Sequence, residues 1–244
     1  MHWLHVHFHS ETLGMPVQME VLLPESPILT DKDYPVLYLL HDMGDGHTSW
    51  LRKTNIETHI EELSMAVVMP MGHLGYYTDM FSGKKYFSFI TEELPAICER
   101  MFPLSEERII AGNGIGGYGA LKAGLLAFDK FKKAASFSAP IDIDSISRRL
   151  TQDQSLDIFG LNDDLKGTEH DLYAVEVLSS RTQFYLSCDV DDYRKDNRLF
   201  AEYLQRSGLS CSIREIQQFP DKWKNLDRSL SEFIIWLSEK KGVK

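Results

Sequence analysis

The residues best placed to do chemistry lie between Arg108 and Lys122, where an apolar run passes through a cluster of glycines into a helical pattern. A strand that turns sharply into a helix through the frame G-x-S-x-G holds a serine hydroxyl exposed for attack on an acyl carbon. Gly112-Asn113-Gly114-Ile115-Gly116 has that frame, with glycine where the serine stands. The central residue of such a turn is strained, and glycine adopts the conformation without a Cβ penalty. The substitution therefore keeps the turn and deletes the nucleophilic oxygen. Read as Gly112-x-Gly114-x-x-Gly117, the same glycines also spell a dinucleotide fingerprint. That reading is set aside. The motif lies mid-chain, and the segment about 20 residues on, Phe131 to Ala135, carries no acid to hold a ribose.

His5, His7 and His9 fall on one face of a predicted strand, and three imidazoles in a row can hold zinc or nickel. An exposed edge-strand face accounts for the same pattern, so no metal and no cofactor is expected. Cys98, Cys188 and Cys211 are odd in number and widely spaced. They form neither a disulfide framework nor a zinc motif, as fits a reducing cytosol.

The elements that must position the glycine turn can be read from hydrophobic patterning. His5–Ser10 and Val17–Leu23 alternate apolar and polar, as half-exposed antiparallel edge strands do. Val36–Leu40, Ala66–Met69, Arg108–Ala111, Ala134–Phe137 and Phe184–Leu186 are short continuous apolar runs, which suit strands buried on both faces of a parallel sheet. Helical patterns fall between them at Ile56–Leu63, Phe87–Met101, Tyr118–Phe128, Arg194–Ser207 and Leu226–Leu237. This alternation predicts one α/β domain over residues 1–244, a three-layer sandwich with a mostly parallel central sheet. Residues 141–177 have weak periodicity and are expected to form an irregular, cap-like excursion at the ligand-binding edge.

Several further motifs carry a family likeness. Tyr34-Pro35-Val36-Leu37-Tyr38-Leu39-Leu40-His41-Asp42-Met43, the segment His47 to Glu57, Val68-Met69-Pro70, Gly75 to Asp79 and Glu92 to Pro95 precede the glycine turn in order. In these the chain resembles the esterase family that includes tributyrin esterases, esterase D and S-formylglutathione hydrolases, along nearly its whole length. The resemblance implies an α/β-hydrolase fold and a Ser-Asp-His triad. It places the nucleophile at Gly114, the acid at Asp192 and the base at Asp221, so that only the acid is retained. It implies oxyanion-hole donors at Met43 and Ile115, with Asp42 where the family's loop reads glycine. Trp50, Tyr76, Tyr77, Trp223 and Met43 are pocket candidates, Tyr77 and Trp223 foremost through the resemblance. If Asp192 and Asp221 face one another, their charges repel and one pKa rises. Two solvated or hydrogen-bonded carboxylates are the simpler picture.

The formal net charge of −10 argues against nucleic acid, which needs clustered Lys and Arg. No apolar run reaches the 18 or more residues of a membrane span, and the N-terminus lacks the pattern of a secretory signal, so a cytoplasmic protein is expected. Acyl transfer needs a hydroxyl, a base and an orienting acid. The expectation is a catalytically degenerate esterase-family chain that binds a small acyl ester or related ligand. Two alternatives stay open. One is a working short-chain hydrolase with another nucleophile, Ser138 or Ser136, and a base such as His41 or His47. The other is a non-enzymatic assembly subunit, including a homo-oligomer.

Overall fold

A computed structural model of the 244-residue chain describes residues 1–25, 34–161, 165–175, 180–188, 191–216 and 220–240. Eight strands form one sheet in the order β1-β2-β4-β3-β5-β6-β7-β8. They are β1 (His2–Ser10), β2 (Met15–Leu23), β3 (Tyr34–Leu40), β4 (Ala66–Pro70), β5 (Leu104–Asn113), β6 (Lys133–Phe137), β7 (Gln183–Cys188) and β8 (Cys211–Glu215). β1 pairs with β2 and β2 with β4 in antiparallel register, and all later pairs are parallel.

The predicted parallel strands are buried because both sheet faces are covered. Along β3, Val36, Tyr38 and Leu40 enter one core while Leu37 and Leu39 enter the other, the period of two that a strand imposes. The second core is closed by α1 (Ser49–Lys53), α2 (Ile56–Ile60) and the C-terminal α9 (Lys222–Lys240). The first is closed by a helical stretch comprising α3 (Tyr86–Ser88), a π-helical turn (Phe89–Glu93) and α4 (Leu94–Met101), with α5 (Ile115–Leu126) and α8 (Asp191–Arg206) beside it. The result is the three-layer α/β-hydrolase sandwich. α5 is buried along nearly its whole length, so its sequence is apolar and glycine-rich all round.

Two features differ from the sequence reading. β8 carries the polar sequence CSIRE and gave no apolar signal; among the described residues it is an edge strand that pairs only with β7. The excursion holds two ordered helices, α6 (Ile143–Arg149) and α7 (Gln152–Phe159). Each is too short for periodicity to show, and each is fixed by its cap. The Asp142 side chain accepts from the Ser145 N–H, and Thr151 and Gln154 form a capping box.

Candidate active site

Chain direction reverses at β3 and β5. These strands are parallel neighbours, but the chain leaves β3 towards β4 on one side and β5 towards β6 on the other. The loop after β3 and the turn after β5 therefore meet at the switch point, where open α/β sheets bind ligands. Gly114 sits in that turn as the N-cap of α5, with φ +54° and ψ −120°. Its N–H donates to the Phe137 carbonyl at 3.0 Å, and its carbonyl accepts from Tyr118 at 3.1 Å. The frame glycines are needed for the strand and helix to touch. A Cβ on Gly112 would lie 2.4 Å from the Gly116 carbonyl, and one on Gly116 would lie 2.7 Å from the His41 carbonyl oxygen.

Asp42 turns its carboxylate into this crevice. Asp42 Oδ1 accepts the Ile115 N–H at 3.0 Å. Ile115 is one of the two backbone donors that the family resemblance assigns to an oxyanion hole, and an anion of the protein's own occupies it. The same carboxylate fills the space above Gly114. A Cβ there would fall 1.9 Å from Asp42 Oδ1 and 2.2 Å from its Cγ. A side chain at position 114 and Asp42 in this orientation exclude one another. Burial pushes the Asp42 pKa above the ordinary carboxylate range, with the Ile115 N–H opposing the rise and nearby Asp45 reinforcing it.

Beside this pair lies a cavity of about 290 Å³, whose wall includes Asp42, Met43, Tyr76, Gly114, Ser138 and Trp223. Arg149 and Lys222 bring positive charge to it. The Arg149 guanidinium lies 4.6 Å from the Tyr193 ring centroid and donates to the Tyr193 hydroxyl at 2.8 Å. Among the pocket candidates, Met43, Tyr76 and Trp223 reach this wall. Trp50 and Tyr77 do not. Trp50 is 2 % exposed and donates its indole N–H to the Leu40 carbonyl at 3.2 Å. Tyr77 is fully buried, its hydroxyl bonded to the backbone N–H and carbonyl of His41 at 3.1 Å each. Both rings support the Asp42 loop from below, a task that sequence cannot distinguish from lining a pocket.

Asp221 caps α9: it is exposed and accepts the Trp223 N–H at 2.9 Å. Asp192 lies in the first turn of α8, and its side chain, with any approach to Asp221, falls outside the described residues. Of the proposed alternative groups, Ser138 lines the cavity in a left-handed conformation, φ +50°, whereas Ser136 is fully buried within β6. His41 is spoken for on both ring nitrogens. Its Nε2 accepts the Gly72 N–H at 2.9 Å, so Nδ1 is the one protonated and donates to the Asp42 carbonyl at 2.8 Å. His47 points towards Glu20 on β2 and is absent from the cavity wall.

A buried switch-point crevice and a glycine elbow with a left-handed φ at the strand–helix turn define the class: an α/β-hydrolase scaffold of the serine-hydrolase type. Residues 10–211 match the family described as "Putative esterase", and the chain belongs to that family. It is 24 % identical to an acetyl esterase of Caldicellulosiruptor saccharolyticus over 97 % of this chain and 98 % of that protein. Among solved structures it is similar to the fluorophosphonate-binding serine hydrolase F of Staphylococcus aureus, with a TM-score of 0.87 and 27 % identity, covering 97 % of this chain and 98 % of that one. It is also similar to the S-formylglutathione hydrolase of the same organism, with a TM-score of 0.85, 28 % identity and the same coverage. No helix among the described residues is long and apolar enough to cross a membrane.

Proposed function

We propose that residues 1–244 form a single α/β-hydrolase domain that has lost triad esterase chemistry and keeps the cavity as a binding site for a small acyl ester or related ligand. The observation that carries this reading is the position of Asp42. Its carboxylate takes the Ile115 N–H, one of the two donors that a developing oxyanion would need. It also takes the space that a nucleophile's side chain would fill at Gly114. The change at Asp221 points the same way. A carboxylate is a far weaker base towards an alcohol than an imidazole.

The test is p-nitrophenyl acetate and butyrate hydrolysis by the purified chain beside an Asp192→Ala variant. The expected outcome is equal background rates for both. Enzymatic turnover that disappears in Asp192→Ala contradicts the proposal. A second reading has one observation in its favour, the left-handed Ser138 in the cavity wall. Labelling of Ser138 by a fluorophosphonate probe would establish it. The reading lacks a base, because His41 is committed to backbone partners and His47 faces Glu20.

A further inference from the structure

The strand of alternating histidines acquires different partners in the fold. His5 on β1 stands directly opposite Glu20 on β2, and the two side chains share one face of the hairpin. His5 Nδ1 lies 2.5 Å from Glu20 Oε1. His47, from the loop that also carries Asp42, brings Nε2 to 3.7 Å from the same oxygen. One ligand atom from each of the three residues lies within 4.8 Å of the others. His7 does not join them as a ligand; its ring packs edge-on against His5 at 4.5 Å. The Trp3 indole N–H donates to the second Glu20 oxygen at 2.5 Å.

Glu20 is the unusual member. It is 1 % exposed in the middle of a strand, and its ion-pair partners among the described residues are the two imidazoles alone. A buried carboxylate without a full positive charge beside it is costly. A divalent cation bound by the same atoms would neutralise it. Two His nitrogens and one Glu oxygen are the protein ligands of a well-known class of zinc site, with the fourth position left to water. Zinc bonds of about 2.0–2.1 Å set tetrahedral ligands roughly 3.4 Å apart, between the two separations found at Glu20 Oε1. The His5 side chain is 45 % exposed, so an ion and its water can enter from solvent.

We propose that His5, Glu20 and His47 bind one divalent transition-metal ion, zinc foremost, and so tie the β1–β2 edge to the loop that carries Asp42. The site is independent of the esterase reading. Its test uses the untagged chain, stripped with chelator and titrated with zinc by calorimetry, with cobalt absorbance reporting coordination geometry. The expected result is one equivalent of zinc, a tetrahedral cobalt spectrum and a zinc-dependent rise in Tm. Zinc affinity should fall at least tenfold in His47→Ala and in His5→Ala, and remain unchanged in His9→Ala. His47 and His5 are chosen because both lie in partly exposed positions, and circular dichroism will confirm that each variant is folded. The proposal is overturned if zinc does not bind stoichiometrically, or if binding survives His47→Ala and is lost in a His7→Ala, His9→Ala variant.

Discussion

Position 114 and position 42 form one unit. Glycine at 114 allows both the left-handed turn and the close approach of the Asp42 carboxylate. Gly114→Ala should therefore destabilise the chain by about 2–4 kcal/mol, the sum of backbone strain and a clash. In an Asp42→Gly background only the strain remains, and the cost should fall to roughly 1–2 kcal/mol. Urea unfolding of the four chains in this cycle measures the coupling, and strict additivity would show that the two positions do not compete for space. The contact was half legible in the sequence. Gly114 and Asp42 both stand out as departures from the family frame. That they compensate each other depends on side-chain direction across the β3–β5 switch point, which no spacing encodes. Asp221 is the converse case. The family resemblance alone assigns it the place of a histidine, and the structure shows it as a helix cap. Asp221→Ala should cost about 1 kcal/mol of stability, read by thermal unfolding.

At the level of elements, the fit of β5 to α5 sets what the turn tolerates. A Cβ on Gly112 would meet the Gly116 backbone at 2.4 Å, with no flexible neighbour to yield. Gly112→Ala should cost about 3 kcal/mol or more and lower the urea midpoint accordingly, even though residue 112 touches no ligand. α5 also carries Lys122, which is 2 % exposed and donates from Nζ to the Thr78 hydroxyl at 2.6 Å. Burial pushes this ammonium down to about 8. The unfolded chain then holds more protons than the folded one from about pH 8 up to the ordinary lysine value, so stability rises with pH across that window. Lys122→Met should accordingly raise Tm at pH 7, by an amount corresponding to roughly 3 kcal/mol, and the gain should shrink towards pH 10. Undiminished stabilisation at pH 10 would argue for better packing instead of a relieved charge. Elements with long apolar periodicity were legible from the chain alone, and the buried parallel strands most clearly. β8, α6 and α7 were not. An edge strand buries too little to need an apolar run, and a helix of seven or eight residues rests on its caps.

For the whole molecule, pH acts through a second buried titratable group beside Lys122. His170 is 7 % exposed, and burial followed by the Lys122 charge lowers its pKa to about 4. Between the ordinary histidine value and about 4, the unfolded chain binds the extra proton, so stability is lost as the pH falls through that window. A His170→Gln variant should show a flatter acid limb in a Tm-against-pH profile than the parent chain. At the same scale, the fold is an esterase-family scaffold in which the Asp42 carboxylate lies over Gly114. The most direct measurement compares p-nitrophenyl butyrate hydrolysis by Gly114→Ser, Asp221→His with that by the same pair plus Asp42→Gly. If Asp42 blocks the oxyanion site and the nucleophile's space, the two-substitution chain stays at background and the three-substitution chain gains turnover. Equal activity in both, or a folded three-substitution chain that remains inert, would contradict the account.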